Sequence, residues 1–204
     1  MESFFATCPR GLEPLLSEEL QQLKAEKIRG VGGGVQFSGE FSLCYRANLE
    51  SRIASRVLWQ VATNRYRNEE DIYRIAYALP WNHWFESSIS LRVDVSAIHC
   101  SLTSLDFVTL KIKDAVCDKI RQLSGRRPDV DRRQPDIPIQ GHLTDREFSL
   151  YLHTTGDPLF KRGRRIVAGE ALSEPPAILR SNVRSLSSQW APGQRVSIAP
   201  RPSR

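Results

Sequence analysis

The sequence predicts an α+β fold, laid down as two consecutive small units over residues 1 to about 155 and followed by a basic tail. Three observations predict it. Stretches with apolar residues three and four apart interleave with stretches in which apolar and polar residues alternate, and Gly or Pro punctuates the joins. Hydrophobic residues make up 40%, charged residues 25% and aromatics 8%, enough apolar surface for one or two buried cores at 204 residues. From about residue 172 the pattern stops, and SEPPAILRSNVRSLSSQWAPGQRVSIAPRPSR, rich in Ser, Pro and Arg and without Lys, reads as poorly ordered.

The elements follow in order. SFFATC is a short opening strand. In the helix after it, Leu12, Leu15, Leu16, Leu20 and Leu23 form the buried stripe, Glu13, Glu18 and Glu19 lie off it, and Pro14 occupies the first turn, where no N–H is lost. GVGGGVQFSG is a turn and a strand; its glycines match neither the G-x-G-x-x-G nor the Walker spacing. Phe41 to Leu49 is a helix, and RIASRVLWQVATNRY is a strand. EEDIYRIAYALPWNHWF opens with acidic residues, places Ile72, Ile75, Ala76 and Leu79 on one face, and stops at Pro80.

SISLRVDVSAIH alternates, with Arg92 and Asp94 between Leu91, Val93 and Val95, so one face is packed and the other wet. SLDFVTLKIKDAVCDKIRQLSG is the clearest helix. Its stripe is Leu105, Val108, Ile112, Val116, Ile120 and Leu123; Lys111, Asp114, Asp118, Lys119 and Arg121 face outward; Gly125 ends it. The loop RRPDVDRRQPD leads to a hairpin of IPIQGHLT and FSLYLHT.

Charge is unevenly placed. Residues 1–155 hold 20 basic and 20 acidic side chains, whereas residues 156–204 hold 9 basic and 3 acidic, so the net +6 belongs to the tail. No apolar run reaches the ~20 residues of a membrane span, and MESFFATCPRGLEPLL lacks the basic start of a signal peptide, so the expected location is cytoplasmic without membrane attachment. Cys8, Cys44, Cys100 and Cys117 are scattered without metal-ligand spacing, as are His83, His99, His142 and His153. The thiols are expected to be free, in a reducing compartment.

The candidate contacts are basic. Arg126, Arg127, Arg132 and Arg133 crowd one loop, where guanidinium forks suit phosphate but where Asp129 and Asp131 also offer them partners. Those two carboxylates, flanked by arginine, read as structural. Lys111, Lys113, Lys119 and Arg121 form either a phosphate-facing stripe or a solvated helix face. Trp59, Trp81, Trp84, Phe85 and Tyr66 either stack on bases or pack internally. Lys161, Arg162, Arg164 and Arg165 make a basic knot that either grips RNA backbone or is a solvated linker.

FFATCPRGLEPLLSEEL, SLDFVTLKIKDAVCDKI with RRPDVD, and LYLHTTGDPLFKRGRR occur here in that order. Over residues 1 to about 171 the chain resembles the N-terminal region of the THUMP-containing 23S ribosomal RNA guanine-N2 methyltransferases. The resemblance implies a ferredoxin-like unit at 1–60, a THUMP RNA-binding domain at 61–155 with a start as early as 44, and a linker from 156. It implies structured RNA, ribosomal above all, as partner, and shifts the four loop arginines toward RNA contact; Lys111, Lys119, Arg121, Lys161, Arg162, Arg164 and Arg165 complete the expected contacts. In that family FKRGRR leads to a domain that binds S-adenosylmethionine and uses an Asn/Asp-Pro-Pro-aromatic motif.

Here only Glu174-Pro175-Pro176-Ala177 follows, without amide or ring, and no Gly-rich cofactor turn is present. The chain is therefore expected to hold no cofactor and no catalytic residue, and to be inactive alone. A frameshift or premature end near residue 172 is the expectation that accounts for the tail. Two other roles stay open: a scaffold working in trans with a separate methyltransferase domain, and a THUMP module of a transfer RNA-modifying system.

Overall fold

The structure, a computed structural model, describes residues 1–86 and 88–161. The tail predicted to be poorly ordered lies outside the described residues. The described chain falls into two compact units: residues 1–61 with 151–161, and residues 62–150.

In the first unit the order is β1 (Glu2–Thr7), α1 (Glu13–Gln22), β2 (Glu26–Val31), β3 (Gly34–Gly39), α2 (Phe41–Glu50) and β4 (Arg56–Arg65), whose last four residues belong to the second unit. The strands lie in the order β2-β3-β1-β4, with antiparallel β2–β3, β1–β3 and β1–β4 pairs. This βαββαβ arrangement is ferredoxin-like. Phe4 and Ala6, both fully buried, face the core from β1 with period two, and Leu16 and Leu20 meet them from α1, with Leu23 just past its end in the same core. The Phe4 and Phe37 rings stack at 5.4 Å.

Leu15, expected in that stripe, is 51% exposed. One residue is about 100° of helical turn, so Leu15 lies beside the stripe that Leu16 and Leu20 occupy. Two glycines are needed where they stand. Gly33 turns β2 into β3 at φ +89°, and a Cβ on Gly34 would lie 2.5 Å from both the Ala6 carbonyl oxygen and the Phe5 ring. β2 itself was not legible as a strand: its exposed residues show no alternation to read.

The second unit contains α3 (Glu69–Ala78), α4 (Trp81–Trp84), β5 (Ser90–Ala97), α5 (Leu105–Ser124), β6 (Asp129–Val130), β7 (Ile137–Leu143) and β8 (Glu147–His153), the last three residues of β8 belonging to the first unit. Its strand order is β8-β7-β5-β6, and β5 runs parallel to both β6 and β7. Parallel neighbours need a long crossover, which α5 supplies. Ser104 caps α5 by accepting from the Phe107 N–H at 3.2 Å; Gly125, at φ +73°, closes it by donating to the Arg121 carbonyl at 2.8 Å. Val108, Ile112, Val116 and Ile120 are buried as predicted, but Leu105 and Leu123, at the two ends, are 37% and 48% exposed.

Candidate nucleic-acid interface

The loop after α5 carries four of the predicted contacts on a braced backbone. The Ser124 hydroxyl donates to the Ile120 and Arg126 carbonyls and accepts from the Arg126 N–H at 3.3 Å. Asp131 Oδ1 accepts from the Arg133 and Gln134 N–H groups at 2.8 and 3.1 Å, and the Asp131 N–H donates to the Leu91 carbonyl. Arg92 Nη1 donates to the Arg132 carbonyl at 3.2 Å. Asp131 thus holds the turn through backbone amides. Arg126, Arg132 and Arg133 are exposed. Arg127 is committed differently: its Nη2 lies 3.3 Å from Asp114 Oδ1, and the neighbouring Cys117 thiol is the main influence raising its basicity.

The α5 lysines sit in a seam against α3. Lys111 Nζ lies 3.2 Å from Glu70 Oε2 and 5.7 and 5.6 Å from the Tyr73 and Phe107 ring centroids. Lys119 Nζ stands 5.0 Å over the Tyr77 ring. Tyr73 and Tyr77 stack at 5.8 Å and donate to Asp118 and Gln122 at 3.1 and 2.8 Å. These lysines therefore hold two helices together, a use the outward-facing pattern did not reveal. Arg121 is exposed in the last turn of α5, and Lys113 pairs with Asp114 at 2.9 Å.

Lys161 ends a short 3₁₀ turn, Leu159–Lys161, in the first unit. The chain leading to it is tied down: the Leu159 N–H donates to the Ser55 carbonyl at 2.8 Å, the Val57 N–H to the Thr155 hydroxyl at 2.8 Å, and Asn48 Nδ2 to the Thr154 hydroxyl at 3.0 Å. Arg162, Arg164 and Arg165 lie outside the described residues.

The aromatic candidates divide. Trp81 is fully buried, its indole N–H donating to the Ala76 carbonyl at 2.7 Å, with Trp84 and Phe85 packed on it at 5.5 and 6.4 Å. Trp59 donates to Glu2 at 3.0 Å and meets Phe41 edge-on. Tyr66 is 5% exposed, its hydroxyl donating to the Thr144 carbonyl at 2.6 Å. Trp81 and Tyr66 are too buried to offer a ring face to a base.

Spacing alone missed one basic feature. Arg65, Arg67, Arg74 and Arg146 line an open cleft of about 790 Å³ in the second unit, with Ile75, Ala78 and Leu79 along its α3 wall. Tyr66 organises it: its N–H donates to the Arg146 carbonyl at 3.3 Å, joining positions 80 residues apart. The period of Asp71, Arg74, Ile75 and Ala78 on α3 was the only local signal.

Among the described residues all four cysteines are free thiols. Cys8, Cys44 and Cys117 are buried, burial pushing the Cys44 thiol up to about 11, and no His/Cys/Asp/Glu group there could hold a metal ion. No helix of the described residues is long and apolar enough to cross a membrane.

The comparisons agree with this layout. The RlmL ferredoxin-like domain family matches residues 3–58, and the THUMP domain family matches residues 66–153. The chain is 38% identical over 171 residues, 84% of its length, to the ribosomal RNA large subunit methyltransferase K/L of Aeromonas salmonicida. It spans only about a quarter, 24%, of that relative. Among solved structures, SMU.472 in complex with SAH superposes with a TM-score of 0.70 at 24% identity, covering 94% of this chain and 50% of that one. TrmN from Thermus thermophilus superposes with a TM-score of 0.64 at 24% identity, covering 79% and 48%. At such identities these two show the fold. The chain carries an RlmL-type ferredoxin-like domain followed by a THUMP domain.

Proposed function

We propose that this chain is the RNA-capturing portion of an S-adenosylmethionine-dependent ribosomal RNA methyltransferase acting on guanine N2 in the cytoplasm. The observation that carries the reading is the braced loop of the THUMP domain, which holds Arg126, Arg132 and Arg133 exposed while Asp131 and the Ser124 hydroxyl secure the backbone beneath them. Exposed guanidinium forks on a braced backbone suit phosphate, because the loop itself needs little ordering on contact. The likeness to large-subunit methyltransferases favours ribosomal RNA, and the SAH complex of SMU.472 favours S-adenosylmethionine as the cofactor of the whole enzyme. Recognition is assigned to residues 1–60 and 61–155, and methyl transfer to neither. The chain alone is expected to give no heat on titration with S-adenosylmethionine; a stoichiometric signal would refute that assignment.

The binding test is anisotropy of a labelled large-subunit ribosomal RNA fragment across a salt series. Affinity should fall steeply with salt as phosphate contacts release counterions, and replacing Arg126 and Arg127 together should weaken it by about tenfold or more and flatten the salt slope by one to two. Unchanged affinity and slope in the double variant would remove Arg126 and Arg127 from the interface.

A further inference from the structure

The cleft bordered by Arg65, Arg67, Arg74 and Arg146 is separate from the loop that carries the proposed function. Its chemistry is more specific than a basic patch. Asp71 is the only acidic residue in its lining; it pairs with Arg67 at 3.2 Å, and that Arg67 side chain is 88% exposed. Arg146 meets Asp145 at 3.4 Å, both well exposed and so weakly bound. Arg65 and Arg74 make no ion pair with any described residue. Between these cations lies an aliphatic wall, Ile75, Ala78 and Leu79, on the side of α3 away from the tyrosines that meet α5.

The walls are set before any ligand arrives. Asn68 Oδ1 caps α3 by accepting from the Asp71 N–H at 2.9 Å, the Arg67 N–H donates to Asp71 at 3.1 Å, and Tyr66 fixes the β7–β8 turn. The volume lies within the ~300–1,000 Å³ of ordinary ligand sites.

A duplex presents phosphates and sugars to a cleft of this kind and would leave the aliphatic wall wet. An unpaired nucleotide offers both halves of the match, a base face and a phosphate. Building on the RNA-binding reading above, we propose that this cleft is a second RNA site, taking an unpaired nucleotide with its base on Ile75, Ala78 and Leu79 and its phosphates on Arg65, Arg74 and Arg146.

The test uses the full chain, a fluorescein-labelled unpaired RNA oligonucleotide and a blunt RNA duplex, both followed by anisotropy at equal salt. R65Q/R74Q should bind the unpaired RNA about tenfold or more weakly and the duplex as wild type does, while R65K/R74K keeps most of the affinity. If wild type binds neither RNA, the RNA-binding reading itself fails. If wild type binds both and R65Q/R74Q keeps its grip on the unpaired strand, only the cleft is overturned. Equal losses on both RNAs overturn the preference for an unpaired nucleotide. A polyglutamate peptide that binds as tightly, and is lost in the same variant, reassigns the cleft to acidic peptides. Should R65Q/R74Q fail to fold, photocrosslinking wild type to a 5-iodouridine oligonucleotide decides: adducts on 62–79 support the site, and adducts confined elsewhere overturn it.

Discussion

Replacing Tyr66 by phenylalanine removes one hydroxyl and tests whether the cleft is built on a buried polar anchor. Its hydroxyl donates to the Thr144 carbonyl at 2.6 Å and lies 3.2 Å from Cys100 Sγ. Y66F deletes one neutral hydrogen bond and strands part of a shielded acceptor, for an expected loss of about 1–2 kcal/mol. A pH series adds a second readout. Burial first, and the Cys100 thiol second, hold the Tyr66 phenol above its ordinary 10.0. The sign follows from proton binding. Above pH 10 unfolded Tyr66 releases its proton while folded Tyr66 keeps it, so the unfolded state binds fewer protons and stability falls as pH rises, by up to about 1.4 kcal/mol per pH unit.

Y66F should therefore be the less stable protein at pH 7, with an alkaline slope shallower by one proton. Tyr73, also raised mainly by burial, keeps its own contribution. The assay is urea unfolding followed by tryptophan fluorescence in a Trp59→Phe, Trp190→Phe background, where the signal comes from Trp81 and Trp84 of the second unit. An unchanged midpoint at pH 7, together with an undiminished slope above pH 10, would refute the anchor.

Other expectations are simpler. Gly34→Ala should cost about 2 kcal/mol or more in urea unfolding, because a Cβ there meets the Ala6 backbone, whereas Gly32→Ala, with nothing within 4 Å, should be close to neutral. Asn48→Ala removes the amide that donates to the Thr154 hydroxyl and Cys44 carbonyl and accepts from Thr155. It should destabilise by about 1–3 kcal/mol and speed hydrogen exchange at the Val57 amide; unaltered exchange would mean that Thr154 and Thr155 hold Val57 unaided.

What could be read from the chain follows the length of each pattern. α5 repeats its apolar period over five turns between a serine cap and a stopping glycine, so its position and buried face were both legible. β6 is two residues long and exists because Ser90 and Leu91 are there to pair with it, which no local pattern records. The loop arginines were visible as a cluster because Arg126, Arg127, Arg132 and Arg133 fall close together in sequence. The cleft arginines were not, because Arg65 and Arg146 are brought together by the fold.

The same contrast decides which cations are available to a polyanion. Lys111 and Lys119 look in sequence like an outward stripe, yet each ammonium is already placed against tyrosine, and Lys111 against Glu70 as well. Drawing either one to a phosphate would exchange a formed contact for a new one, so the net gain is the difference between two similar interactions. Arg126, Arg132 and Arg133 start from solvent, above a backbone held by Ser124, Asp131 and Arg92. A phosphate there adds contacts without removing protein ones. Lys111→Gln should accordingly cost more in stability than in RNA affinity, and Arg133→Gln the reverse. A larger affinity loss for Lys111→Gln than for Arg133→Gln would place the RNA on the helix seam instead of on the loop.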